Sequence, residues 1–533
     1  MPETTIPAED SGQREVVAFL KDPASYAARP ASVEVIETHG AFVFLAGDDV
    51  YKIKRAVSFG YMDFSTLERR RRACNRELEV NRPHAPAIYS GVVAITREPH
   101  GGLSIAGSGV PVEWAVHMRR FADGSLLSDV VADGRLDAAM VKALAQAIAA
   151  YHRSARPVRS GDGAGRLRSI IDELEQGLGA VSGAGSVPAM LAPRQVQDFV
   201  SGARSALTAA RALLNQRHRD GYVRRAHGDL HLRNVVLIDG KPLLFDAIEF
   251  NDDIATVDTL YDLAFLLMDL DVSGHRDEAN LLLNRYLYAT GSMSDIDALA
   301  VLPLFLSLRA GIRAMVLAQR ASQVAAVAAE NGAAAVRSAQ HYLAAALGYF
   351  DSSEPCLIAV GGLSGTGKST LAAALAAHIG RAPGALHIRS DLERKALFKV
   401  GETTPLPPAS YTRETAARVY EAVYAKAARV LGAGHCVIAD GVFLRPEERA
   451  SIEAVANAAN ARFIGLWLSA PLPVLIKRVM SRKGDASDAT RDVITKQLAE
   501  DPGEIGWSMV DAGGDRAETL LAARQGMTRL WCS

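Results

Sequence analysis

The sequence predicts two domains of different build: an α+β domain over residues 15–350 and a parallel α/β domain over 356–533. Three observations carry this reading. At 533 residues the chain is too long for one hydrophobic core. Beyond Pro355, apolar strands alternate with helices, the pattern of a parallel sheet covered by helices. Finally, Gly362-Leu363-Ser364-Gly365-Thr366-Gly367-Lys368-Ser369 is a full G-x-x-x-x-G-K-[ST] phosphate loop. An apolar strand over 356–360 precedes it and a helix over 370–377 follows, the context the motif requires.

Each loop residue has a physical reason. The glycines let backbone N–H groups curl around phosphates, and the helix N-terminus, beginning near Thr370, adds a favourable dipole. Lys368 reaches the β- and γ-phosphates and Ser369 holds Mg²⁺. A second strand over 387–391 ends in Asp391, and a third over 436–440 ends in Asp440. Parallel sheets bind ligands at strand C-termini, so both acids face the bound phosphates. Asp391 is then a base for an attacking hydroxyl and Asp440 a metal ligand through water, or either is an acidic helix N-cap. A fourth strand, 463–468, leads to a helix with Lys477, Arg478 and Arg482, either a lid over the phosphates or a solvated basic face. Asp440 is followed by Gly441 rather than Glu, so the water-activating pair of motor ATPases is missing, which favours transfer to a bound acceptor.

Residues 355–533 resemble the small P-loop kinases: gluconate kinase, polynucleotide 5′-kinase, chloramphenicol phosphotransferase and the zeta toxins. The resemblance rests on Lys368, Ser369, Asp391, Arg478 and Arg482, and implies Asp391 as the acceptor base. It does not name the acceptor: Arg394, Lys395, Lys399 and Arg413 either bind an anion or are surface charge.

The N-terminal domain carries His227-Gly228-Asp229-Leu230-His231-Leu232-Arg233-Asn234, an H-x-D-x-x-x-x-N pattern. A strand ending in Asp246 follows, after a hairpin through Asp239-Gly240. In a phosphotransferase, Asp229 takes the hydroxyl proton while Asn234 and Asp246 ligate Mg²⁺. Upstream, the strand 49–54 carries Lys52 and Lys54 on one face. A capping box at Ser65–Glu68 opens a helix bearing Glu77 about three turns in. A strand lysine paired with a helix glutamate positions the α/β-phosphates, Lys52 being preferred and Lys54 second. Arg69 to Arg72 form an outward basic face or an anion patch. The strand 114–121 runs into an adenine-binding hinge.

Residues 35–345 resemble the aminoglycoside phosphotransferase and choline kinase branch of the protein-kinase-like fold. The matching positions are Lys52, Glu77, His227-Gly228-Asp229, Asn234, Asp246 and Asp258-x-x-x-Asp262, with His152 structural. Thr38-His39-Gly40-Ala41 stands where a protein kinase has its glycine-rich loop, and Asp246 precedes Ala-Ile-Glu rather than Phe-Gly. Both departures are normal in the small-molecule branch.

The whole chain resembles bifunctional fusions of these two domains. The resemblance implies an ATP- and Mg²⁺-dependent kinase with two nucleotide sites, transferring the γ-phosphoryl group to a hydroxyl of a small molecule. The alternatives are that one domain regulates the other without catalysis, or that the P-loop domain is a polynucleotide 5′-kinase. A net charge of −1 gives no basic excess for nucleic acid, so none is expected as partner. Hydrophobic residues at 49% and charged residues at 22% are those of a soluble globular protein. Four dispersed cysteines read as reduced thiols in the cytoplasm. A flexible tail over 1–14 without an apolar core argues against a signal peptide, and no long apolar run predicts a membrane span. Residues 351–355 are the expected linker, and oligomeric state is left open.

Overall fold

The computed structural model describes residues 11–60, 62–182, 190–324, 329–481 and 484–532. The chain divides into two compact units, 1–163 with 216–266, and 164–215 with 267–533.

The first unit is built on a six-stranded antiparallel sheet. In spatial order its strands are Val33–Glu37, Ala41–Ala46, Asp49–Lys54, Val110–Arg119, Tyr89–Arg97 and Leu103–Ile105. Period-two alternation splits the apolar residues between the faces. Phe44, Ile53, Ile95 and Ala115 pack on one face with Val16 and Leu20. Val50, Val116 and Met118 pack on the other with Cys74 and Ile88. Val16 and Leu20 belong to a helix, Ser11–Lys21, so residues 11–14 are not part of a flexible tail. The side chain of Gln13 donates to Lys54 O (2.8 Å) and to Glu113 Oε2 (2.9 Å), fixing that helix to the sheet. Residues 1–10 of the expected tail lie outside the described residues.

The helix Leu67–Asn81 packs on the second face. Its N-cap is Thr66, whose side chain accepts from Arg69 N, one residue beyond the expected Ser65. Ser65 instead donates to Asp63. The arginine run divides: Arg70 is buried against Glu113 (2.9 Å), while Arg71 and Arg72 face outward beside Glu68. Downstream, Val235–Ile238 and Lys241–Leu244 form the expected hairpin. Asp239 (φ 51°) and Gly240 (φ 72°) both take positive φ, which a two-residue type I′ turn requires.

The second unit contains a five-stranded, all-parallel sheet. Its order is Leu386–Arg389, Val437–Asp440, Cys356–Gly362, Arg462–Ser469 and Ser508–Asp511. Four of these strands follow the sequence expectation, except that the second ends at Arg389, so Asp391 lies not at the strand end but in the first turn of the helix Ser390–Leu397; the edge strand Ser508–Asp511 is additional. The strand Cys356–Gly362 is buried along its whole length, as a central parallel strand must be.

The compact units do not part at the 351–355 linker. The helix Arg276–Thr290 belongs with the parallel sheet, and its contacts give the reason. Asn280 and Asn284 donate to Ala385 O, Asn284 accepts from His387 N (2.6 Å), and Arg276 donates to Ala377 O (2.9 Å). Arg285 forms an ion pair with Glu402. The alanine-rich helix expected over 324–349 is Ala329–Gly348, with 325–328 outside the described residues. The loop expected at 182–186 has residues 183–186 outside them as well. One helix stretch, Leu302–Ser322, is long and apolar enough by length and composition to cross a membrane, although Arg309, Arg313 and Arg320 interrupt it, so it is not an uninterrupted apolar run of the kind the sequence expectation concerned. Of its window, 67% is buried within the protein, as in a core helix.

Candidate active sites

In the first unit, the strand Asp49–Lys54 aims both lysines at one glutamate. Lys52 Nζ lies 2.9 Å from Glu77 Oε1 and 2.6 Å from Asp246 Oδ1. Lys54 Nζ lies 2.5 Å from Glu77 Oε2 and also contacts Glu249. Only Lys52 lines the open cleft, because Lys54 sits behind it, 2% exposed. Burial alone would lower the Lys52 pKa, but the Asp246 and Glu77 carboxylates outweigh it and hold the ammonium well above its ordinary value. Burial likewise works against ionised Glu77, and Lys52 and Lys54 outweigh it, so its pKa falls.

The cleft has a volume of about 440 Å³ and is lined by Val43, Leu45, Val50, Ile88 and Met118, with Lys52 and Asp246 at one end. The segment 120–124 that leaves the strand Val110–Arg119 also lines it. Asp246 takes φ 59° and its N–H donates to the Tyr89 hydroxyl (3.1 Å). Asn81 accepts from Ala247 N (2.8 Å), so both sides of the strained residue are held.

The loop with Asp229 is shaped by Asp262, which is fully buried. Asp262 accepts from His227 N (3.1 Å) and Gly228 N (2.8 Å), and lies 3.0 Å from His152 Nε2. His152 is thus structural, as expected. Asp258 forms a two-pronged ion pair with buried Arg217 (2.7 and 2.8 Å). Asn234 Nδ2 donates to both Asp229 O (2.9 Å) and Asp229 Oδ2 (3.0 Å). Its Nδ2 committed, Asn234 retains its Oδ1 as an oxygen donor.

In the second unit, the phosphate loop joins Cys356–Gly362 to the helix Lys368–Ala376. Gly362 takes φ 132°, and a Cβ there would meet Leu468 O at 2.4 Å, so only glycine fits. Lys368 Nζ donates to Gly362 O and Leu363 O, both at 2.9 Å. Lys368, Ser369, Thr370, Asp391 and Asp440 line one cleft of about 780 Å³.

Neither acid is a helix cap. The N-cap of Ser390–Leu397 is Arg389, and the next helix, Pro446–Ala458, starts six residues past Asp440 with Arg445 as cap. The two carboxyls are driven in opposite directions. Burial and the neighbouring Asp440 raise the pKa of Asp391 against the pull of Arg389 and Lys368. For Asp440, burial is outweighed by His387 (3.3 Å), Arg389 and Lys368, and the pKa falls. Arg478 lines the cleft while donating to Ala512 O and Gly514 O, each at 2.7 Å. Arg482 lies outside the described residues. Of the cations considered for an anionic acceptor, Lys395 is 1% exposed and paired with Asp488 at 2.6 Å, so it is no surface charge.

The donor sets fit Mg²⁺. Each offers oxygen: the Ser369 hydroxyl and Asp440 in one unit, Asn234 Oδ1 and Asp246 in the other. Mg²⁺ is held by one or two carboxylates together with phosphate oxygens and waters. It needs no all-protein cage, and among the described residues no cluster of three His, Cys, Asp or Glu is arranged for a metal.

Sequence reasoning missed several residues that line the cleft or hold its loop. Asp485 holds Arg389 (2.9 Å), Gln497 accepts from Ser364 N (2.9 Å), and Arg516 and Thr519 line the cleft from the last helix. None of them has a spacing signature relative to the phosphate loop.

A parallel sheet with a phosphate loop, joined to a protein-kinase-like unit with its lysine–glutamate pair, defines a protein of the phosphotransferase class. The family profile described as "AAA domain" matches residues 357–500. Along nearly the whole chain the similarity is to uncharacterized protein Rv2004c of Mycobacterium tuberculosis, 32% identical over 498 residues, 92% of this chain and 94% of that protein. The chain belongs to the family of that mycobacterial protein. Among solved structures, a gluconokinase from Sinorhizobium meliloti 1021 is 25% identical, covers 33% of this chain and 93% of its own, and has a TM-score of 0.25. A choline/ethanolamine kinase family protein from Mesorhizobium loti is 15% identical, covers 63% and 99%, and has a TM-score of 0.37.

Proposed function

We propose that the protein is an ATP-dependent kinase with two nucleotide sites, each transferring the γ-phosphoryl group to a hydroxyl of a small molecule in the cytoplasm. The observation that carries the P-loop half of this reading is the convergence of Lys368, Ser369, Asp391 and Asp440 on one cleft, with the two carboxyls driven in opposite directions. A carboxyl with a raised pKa suits proton transfer, and one with a lowered pKa stays anionic as a metal ligand. Asp391 accepts the acceptor's proton, Lys368 neutralises charge on the transferred group, and Arg478 borders the same cleft. Arg482 is assigned to the lid by resemblance alone. In the kinase-like site, Asp229 is the base, Lys52 and Glu77 position the phosphates, and Asn234 and Asp246 are the oxygen ligands. Mg²⁺, held by Ser369 and Asp440 in one site and by Asn234 and Asp246 in the other, would supply neutralisation of phosphate charge. Catalysis in both sites rests on positioning rather than covalent intermediates. In chain order the kinase-like motifs of 15–350 precede the P-loop motifs of 356–533, although the compact units themselves divide at 163/164, 215/216 and 266/267.

A second reading makes the kinase-like unit a non-catalytic nucleotide sensor. It is favoured by the turn Thr38-His39-Gly40, which supplies a single glycine where a phosphate-covering loop belongs. The test is ADP release over a panel of sugars, polyols, amino alcohols and oligonucleotide 5′ ends, with wild type, Asp229→Ala and Asp391→Ala. Two-site catalysis predicts at least one acceptor lost in each variant. Activity lost only in Asp391→Ala establishes the sensor reading, and an oligonucleotide hit establishes the 5′-kinase alternative.

A further inference from the structure

After the helix Leu472–Ser481, the helix Arg491–Ala499 returns to the phosphate loop. It is seated by Ile494, which is buried in a cluster with Leu475 and Val479, and Leu363 of the loop packs against that cluster. One turn on, Gln497 Oε1 accepts a hydrogen bond from Ser364 N at 2.9 Å. The helix therefore grips two successive loop residues, one by apolar packing and one by a polar contact.

Those residues have a defined place in the loop. Lys368 and Ser369 form its helix-side half, whose N–H groups and dipole hold the inner phosphates. Leu363 and Ser364 form the strand-side half; with the inner phosphates held at Lys368 and Ser369, the terminal phosphate of a bound triphosphate would lie toward this half. A carboxamide carries one acceptor oxygen and two N–H donors. With Oε1 engaged by Ser364 N, the donors of Gln497 are carried at the same edge of the loop. A glutamine at that edge is chemically suited to orient the terminal phosphoryl group and the oxygen that attacks it.

We infer that Gln497 is a positioning residue of the P-loop site, fixing the strand-side half of the loop and donating toward the γ-phosphoryl group. The inference rests on the reading that this site binds ATP. A residue of this kind distinguishes nucleoside triphosphate from diphosphate, whereas a merely structural residue supports both alike.

The test is the affinity of the full-length protein for ATPγS and for ADP, each with Mg²⁺. The P-loop component is defined as the binding that Lys368→Ala removes. If Lys368→Ala removes none, the underlying reading fails, whatever Gln497 does. Given that component, Gln497→Ala is expected to weaken ATPγS about 10-fold, the worth of one charge-assisted hydrogen bond, and ADP by less than about 2-fold. Gln497→Glu keeps an acceptor for Ser364 N and suits a helix, but sets a carboxylate beside the terminal phosphate. It is expected to weaken ATPγS more than Gln497→Ala does, with an unchanged melting temperature. Equal losses for both nucleotides, or no loss in either variant, overturn the inference.

Discussion

Asp391→Asn is expected to lower turnover at the P-loop site by about 10²- to 10⁴-fold, the usual contribution of a positioned general base, with little change in nucleotide affinity. The amide keeps the size of the carboxyl but cannot take the proton. The pH profile sharpens the test. Burial and Asp440 raise the pKa of Asp391, so the acid limb of kcat/KM in wild type falls above the ordinary aspartate range, near 3.9. Activity is lost as pH falls through that raised value, and the limb disappears in the residual activity of the variant. Stability moves the other way. A carboxyl with a raised folded pKa opposes folding once it is ionised, so Asp391→Asn is expected to melt no lower than wild type at neutral pH. Loss of activity together with loss of stability would falsify the assignment of Asp391 as base.

Glu77→Gln is expected to destabilise the kinase-like unit by about 3 kcal/mol, the lower end of what breaking a buried pair costs. Glu77 is fully buried and touches both Lys52 (2.9 Å) and Lys54 (2.5 Å), so its loss leaves two buried ammonium groups short of a partner. The cost stays at the lower end because Lys52 keeps Asp246 and Lys54 keeps Glu249. The folded pKa of Glu77 is depressed, so its stabilisation is complete above the unfolded value near 4.3 and is lost as pH falls below it. The gap between wild type and variant in urea unfolding therefore narrows in acid. Lys52 also loses an anchor, so nucleotide affinity at that site falls with the stability. A variant as stable as wild type at pH 7 contradicts this account of the pair.

What could be read from the sequence was local. The phosphate loop, the I′ turn at Asp239-Gly240 and the Lys52/Lys54 face each lie within a few residues, where spacing determines geometry. What could not be read was long-range. Lys395 looks like surface charge until Asp488, 93 residues on, is found beside it. The helix Arg276–Thr290 gives no sign in sequence that its asparagines will hold the backbone at 385 and 387. Gln497 lies 133 residues from the amide it contacts. The helix Ser11–Lys21 did leave a trace, in the i, i+4 pair Val16 and Leu20, but the polar residues before it masked its start. The capping alternatives for Asp391 and Asp440 could be decided only by where the helices begin.

The central claim is two nucleotide sites in one chain. Calorimetric titration of the full-length protein with a non-hydrolysable ATP analogue and Mg²⁺ measures it directly. The account predicts two equivalents bound by wild type, and one by each of Lys368→Ala and Lys52→Ala. One equivalent in wild type, abolished by Lys368→Ala and untouched by Lys52→Ala, would contradict it and leave the P-loop site as the sole nucleotide site.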